Sequence, residues 1–138
     1  MLEEYVRKFW DAISIPQKFV SNPAGTYSIP VDETIAVIIR DLHDEGYYLY
    51  AEVADIPEGG DKEMFYINVM RGNLFGEGTG GAVLGLNADG KKLILTELLP
   101  RSVDYRNFEY TLEDFCNWIE FWREEPIKEI KKSSKPYF

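Results

Sequence analysis

The chain has 138 residues with 24 acidic and 15 basic side chains, a formal net charge of −9 and 45 % hydrophobic residues. That is long enough for one domain with a real core, too apolar for a disordered chain, and too acidic for nucleic acid or an anionic membrane as main partner. A single cysteine, Cys116, excludes an intramolecular disulfide.

Leu2, Val6, Phe9, Trp10 and Ile13 recur at helical spacing, with Glu3, Glu4, Arg7, Lys8 and Asp11 on the rest of the wheel, so the chain opens with an amphipathic helix that Pro16 ends. The same charges interrupt the segment too early for a signal peptide. No apolar run approaches the roughly 20 residues needed to cross a bilayer. A cytoplasmic location is therefore expected.

Asn22-Pro23-Ala24-Gly25 is a turn, and Thr26 to Ile29 is a short strand that Pro30 confines to an edge or terminates. Thr34–Arg40 and Tyr47–Val53 follow as strands, joined by a turn over Leu42–Gly46. Both carry apolar residues on both faces, which requires cover on two sides or leaves a sticky surface. Asp61 caps a second helix with Glu63 in its first turn. Tyr66, Ile67, Met70 and Leu74 make one apolar face of that helix, and Phe65 and Val69 add a second.

Gly76-Glu77-Gly78-Thr79-Gly80-Gly81 satisfies the letters of a dinucleotide-binding fingerprint. That motif works only when a strand precedes the glycines and a helix follows, so that helix amides meet the pyrophosphate. Here a helix precedes and a strand follows, so a flexible or closely packed helix-to-strand passage is the reading and no cofactor is expected. Ala82–Leu86 and Leu93–Leu95, linked by Asn87-Ala88-Asp89-Gly90, form a β-hairpin.

Pro100 to Tyr110 is an irregular link. Thr111, with Asp114 three residues on, starts a third helix with Leu112, Phe115, Cys116, Ile119 and Trp122 on one face and Trp118 and Phe121 beside it. Pro126 is expected to stop or kink it, leaving a locally basic tail over 126–138 after a single domain at 1–125.

Chemistry is sparse. One histidine, His43, and one cysteine supply neither a Cys/His metal site nor a Cys–His dyad, and no Gly-x-Ser-x-Gly elbow or P-loop is present. Asp41, Asp44 and Glu45 in a turn, and Glu124-Glu125 at a helix end, read as solvated surface charge. No catalytic, cofactor-binding or metal-binding residue is assigned, and an enzyme is not expected.

A helix ending at Asn73-Leu74, a glycine-rich passage, then Gly81-Ala82-Val83-Leu84-Gly85-Leu86-Asn87 and Gly90-Lys91-Lys92-Leu93-Ile94-Leu95 resembles the type III secretion chaperones, the small acidic homodimers typified by the Tir chaperone. The resemblance is clearest from Met64 to Pro100 and extends over most of the chain through element order and size. It implies an α+β fold in the order α-β-β-β-α-β-β-α, an antiparallel twisted sheet with helices packed on it. It also implies a homodimer whose contact maps onto Val69, Met70, Leu74, Val83 and Leu84. An extended segment of a secreted effector would be held, without ATP hydrolysis, around the first helix and early strands, which maps onto Phe9, Trp10, Val37, Tyr48 and Tyr50. With one sheet face on helices two and three and helix one partly covering the other, a groove is expected beside Phe9 and Trp10. The proline-containing link between Phe19 and Pro30 and the Trp-rich third helix depart from the family pattern. A general interaction or regulatory domain of the same fold is the alternative, and a small ligand-binding enzyme using the Gly76–Gly81 loop a more distant one.

Overall fold

The computed structural model of the chain describes residues 1–76 and 78–132, apart from the side chains of Phe75 and of residues 125–132. The elements are α1 (Leu2–Ala12), β1 (Thr26–Pro30), β2 (Ala36–Asp41), β3 (Tyr47–Asp55), α2 (Lys62–Gly72), β4 (Val83–Leu86), β5 (Lys92–Leu99) and α3 (Tyr105–Lys132). This is the expected α+β order. The strands form one antiparallel sheet in the order β1-β2-β3-β5-β4.

Local chemistry sets several boundaries. The carboxylate of Asp32 accepts hydrogen bonds from the backbone N–H groups of Thr34 (2.8 Å) and Ile35 (2.9 Å), and Val31 N–H donates to Ile35 C=O (2.9 Å). This turn consumes Thr34 and Ile35, so β2 begins at Ala36 rather than Thr34. Gly46 closes the next hairpin at φ 112°. A Cβ there would collide with the Leu99 carbonyl, so only glycine fits.

Helix α3 departs most from the sequence reading. It begins at Tyr105, not at Thr111, which lies inside it. Asp104 is the cap: its carboxylate accepts from Asn107 N–H at 2.8 Å, and its carbonyl accepts from Phe108 N–H at 2.9 Å. The extra turns bury Phe108 in line with Leu112, Phe115, Ile119 and Trp122, all fully buried. The helix also continues past Pro126 to Lys132. A proline forfeits one N–H bond and crowds the turn before it, yet does not by itself end a long helix already propagating. The part of the expected tail from residue 133 onward lies outside the described residues.

The sheet has two distinct faces. Tyr27, Ile29, Val37, Ile39, Tyr47, Leu49, Ala51, Val53, Leu84, Leu93, Leu95 and Leu99 point to one side and are buried. All three helices lie there. Trp10 of α1 meets Phe19 edge-on, and Phe19 stacks on Tyr27 of β1. Tyr5 packs against Phe108 and Tyr105 of α3, while Gly72 of α2 lies against Trp122. Helix α1 therefore does not cover the second face as expected. Its apolar stripe is already spent on the same core as α3, and no described helix lies over the opposite side.

Candidate partner-binding surfaces

Strand alternation and register define the uncovered face. Ile38, Tyr50, Thr96 and Val83 lie opposite one another in a row across four strands, and Arg40, Tyr48 and Leu98 form the next row. Tyr48 and Tyr50 share this face, as their spacing predicts, and are half-buried by neighbours. Leu98 and Val83 are 53 % and 57 % exposed. The result is a broad apolar surface with phenol hydroxyls at its centre, suited to a partner that offers both apolar side chains and hydrogen-bonding groups.

Phe9, Trp10 and Val37 are not part of that surface. Phe9 and Val37 are core residues, and Trp10 is buried with its indole N–H donating to Gln17 C=O at 2.7 Å. The sheet stands between these three and Tyr48 and Tyr50, so the five mapped residues do not line one groove. Two open clefts do flank α1. One of about 420 Å³ runs from Trp10 and Phe19 to Tyr27 and Ser28. Another of about 390 Å³ lies between Phe9, Ile13, Ile29, Glu113 and Cys116.

The five residues mapped as a subunit contact split differently. Val69 and Leu84 are buried within the chain, whereas Met70, Leu74 and Val83 are 73 %, 47 % and 57 % exposed. The C-terminus of α2 and strand β4 meet at one end of the molecule, where Asn73 bridges them through two hydrogen bonds to the backbone of Leu84. Exposed Met64 and Leu86 extend the apolar character of these two elements.

The glycine-rich passage is a packing device. Trp122 Nε1 donates to Gly78 C=O, and Gly78 N–H donates to Gly72 C=O at 3.0 Å. A side chain at Gly72 would enter the Trp122 ring, and one at Gly80 would strike Trp118 and Asp114. The amides of Thr79, Gly80 and Ala82 also donate to carbonyls of the same turn, so these groups form no phosphate cradle.

Burial strongly perturbs Cys116 and Glu97. The Cys116 thiol is pushed up to about 11 by burial and then by Glu120 and Glu113, which makes it an unreactive thiol. Glu97, which sequence reading passed over although it interrupts an apolar strand, is pushed up to about 7, first by burial and then by Asp114. A carboxyl with a raised folded-state value contributes most favourably below its ordinary value of 4.5. That contribution is lost as pH rises from there through about 7. Glu97→Gln should flatten this decline and raise stability above neutrality by about 1 kcal/mol, a figure discounted for partial exposure. Urea unfolding of both proteins between acid and mildly alkaline pH measures it; parallel pH profiles would contradict the assignment. Among the described residues, no group of three or more His, Cys, Asp or Glu side chains could hold a metal ion, and no helix is long and apolar enough to cross a membrane.

Three helices lie on one side of the β1-β2-β3-β5-β4 sheet, and among the described residues no helix covers the other side. The chain belongs to the Tir chaperone protein (CesT) family, whose model matches residues 5–123. It is 30 % identical over 122 residues to the Chlamydia pneumoniae protein CPj0713/CpB0740, covering 88 % of this chain and 93 % of that one. Among solved structures, a chain of the ExsC–ExsE complex superposes with a TM-score of 0.67 at 20 % identity, covering 88 % of this chain and 90 % of that chain. A chain of the HopA1–SchA chaperone–effector complex gives 0.65 at 18 % identity, covering 90 % and 97 %. At these identities the likeness establishes the shared fold.

Proposed function

We propose that this protein is a cytoplasmic, homodimeric chaperone of type III secretion that holds an extended segment of a secreted effector and keeps it soluble without ATP hydrolysis. Family membership supports the class. The observation that carries the reading to the residues is the open sheet face, where Ile38, Tyr48, Tyr50 and Leu98 form an apolar surface that no described helix covers. A disordered segment suits such a surface because it can spread over a wide area, its ordering cost offset by many small contacts. The clefts flanking α1 would receive its larger side chains. The solved HopA1–SchA pair is itself a chaperone–effector complex. The exposed Met70, Leu74 and Val83 would close the dimer.

The test is co-expression with secreted proteins encoded beside this gene, followed by isolation of a defined complex. Replacing both Tyr48 and Tyr50 with glutamate should weaken client binding at least about tenfold while the thermal midpoint moves little, because both side chains lie on the uncovered face. Phe9→Ala, by contrast, removes a core side chain and should lower stability by about 3–5 kcal/mol. Unchanged client binding by the double variant would remove the sheet face from the proposal. Failure to isolate any secreted client would remove the chaperone function itself.

A further inference from the structure

Strand β4 is one edge of the sheet, and an exposed apolar edge is a template for pairing with another sheet. The Asn87 N–H to Lys92 C=O bond of 3.1 Å marks these two as a hydrogen-bonded pair. Alternation then directs the backbone groups of Val83 and Gly85 toward β5 and those of Leu84 and Leu86 outward. Leu84 is already satisfied. Its N–H donates to Asn73 Oδ1 at 2.8 Å, and its C=O accepts from Asn73 Nδ2 at 2.9 Å. One carboxamide thus reproduces the pair of bonds that a neighbouring strand would make.

Asn73 is held in place for this. It follows the last residue of α2 and its N–H donates to Val69 C=O at 3.1 Å. The preceding Gly72 is pinned between Trp122 and Gly78, at contacts a Cβ would abolish. The other edge of the sheet has a parallel arrangement. Asp41 N–H to Gly25 C=O and Val31 N–H to Ile35 C=O turn Thr26, Ser28 and Pro30 outward. Asn22 Nδ2 takes the Thr26 carbonyl at 2.6 Å, and Pro30 has no N–H to offer. The β4 edge is the more hazardous of the two, since exposed Val83 and Leu86 lie on it and exposed Met70 and Leu74 flank its guard.

We propose that Asn73 is a one-residue substitute strand, which closes the β4 edge against the β4 edge of a second copy of this chain. Self-association is thereby confined to side-chain contacts and does not grow into a continuous sheet. The proposal is independent of whether the protein serves an effector.

Asn73→Ala frees both groups of Leu84. Sedimentation across a concentration series should show species larger than those of the unsubstituted protein, growing with concentration. Adding Leu86→Pro removes the other outward N–H of the edge and should return the size to that of the unsubstituted protein. Aggregation through general loss of stability would be worsened, not cured, by that proline. A single variant of unchanged size overturns the proposal, as does a double variant that assembles as much as the single one. If Asn73→Ala does not fold, hydrogen exchange in the unsubstituted protein decides. The Leu84 amide should exchange about tenfold slower than the Leu86 amide, or slower still, and equal rates overturn the proposal.

Discussion

Trp122→Ala should cost about 3–5 kcal/mol, the range for truncating a buried aromatic, and lower the thermal midpoint by well over ten degrees. Trp122 is fully buried, lies against Gly72 of α2, and donates its indole N–H to Gly78 C=O. Removing it opens a cavity beneath the α2–β4 corner and strands a carbonyl. Trp122→Phe restores most of the volume but not the donor, so it should recover the larger part of the loss and leave about 1 kcal/mol. Thermal and urea unfolding of the two variants measure this. If Trp122→Ala unfolds like the unsubstituted protein, the corner does not depend on this ring.

Met70→Glu combined with Val83→Glu should convert a dimer into a monomer. The two side chains are 73 % and 57 % exposed in the single chain, so the substitutions cost its fold little. In a two-fold contact each substitution occurs twice, placing like charges against an apolar partner surface. Burying one large apolar side chain contributes about 1.5–3 kcal/mol, so four such losses should weaken association by several orders of magnitude. Light scattering at micromolar concentration should give the mass of two chains before substitution and of one chain after it. A single-chain mass for the unsubstituted protein would end the dimer reading, and an unchanged dimer of the double variant would move the contact elsewhere.

The acidic balance shapes the partner as well. A net charge of −9 on 138 residues favours clients that carry basic residues beside their apolar anchors. Arg40 lies in the same row of the open face as Tyr48 and Leu98, which gives that face one local positive point.

The sequence by itself determined the number, type and order of the elements. Leu2, Val6, Phe9 and Trp10 recur at helical spacing, and the later helix repeats the pattern through Leu112, Phe115, Ile119 and Trp122. Such periodicity is a property of neighbours along the chain. The hairpin about Asn87–Gly90 was legible for the same reason, and so was the sharing of one face by Tyr48 and Tyr50. Which face of the sheet the helices would occupy was not legible. Alternation separates two sets of side chains but does not say which one meets α1, and that depended on Tyr5 finding Phe108 far along the chain, with Trp10 meeting Phe19 beside it. Thr111 resembled a helix start, yet Asp104 won because its cap lets Phe108 into the core. The role of the glycines and of Asn73 was likewise decided by tertiary structure. A glycine needed for close approach, or an amide needed to close a strand edge, acquires its meaning only when Trp122 and Leu84 arrive beside it.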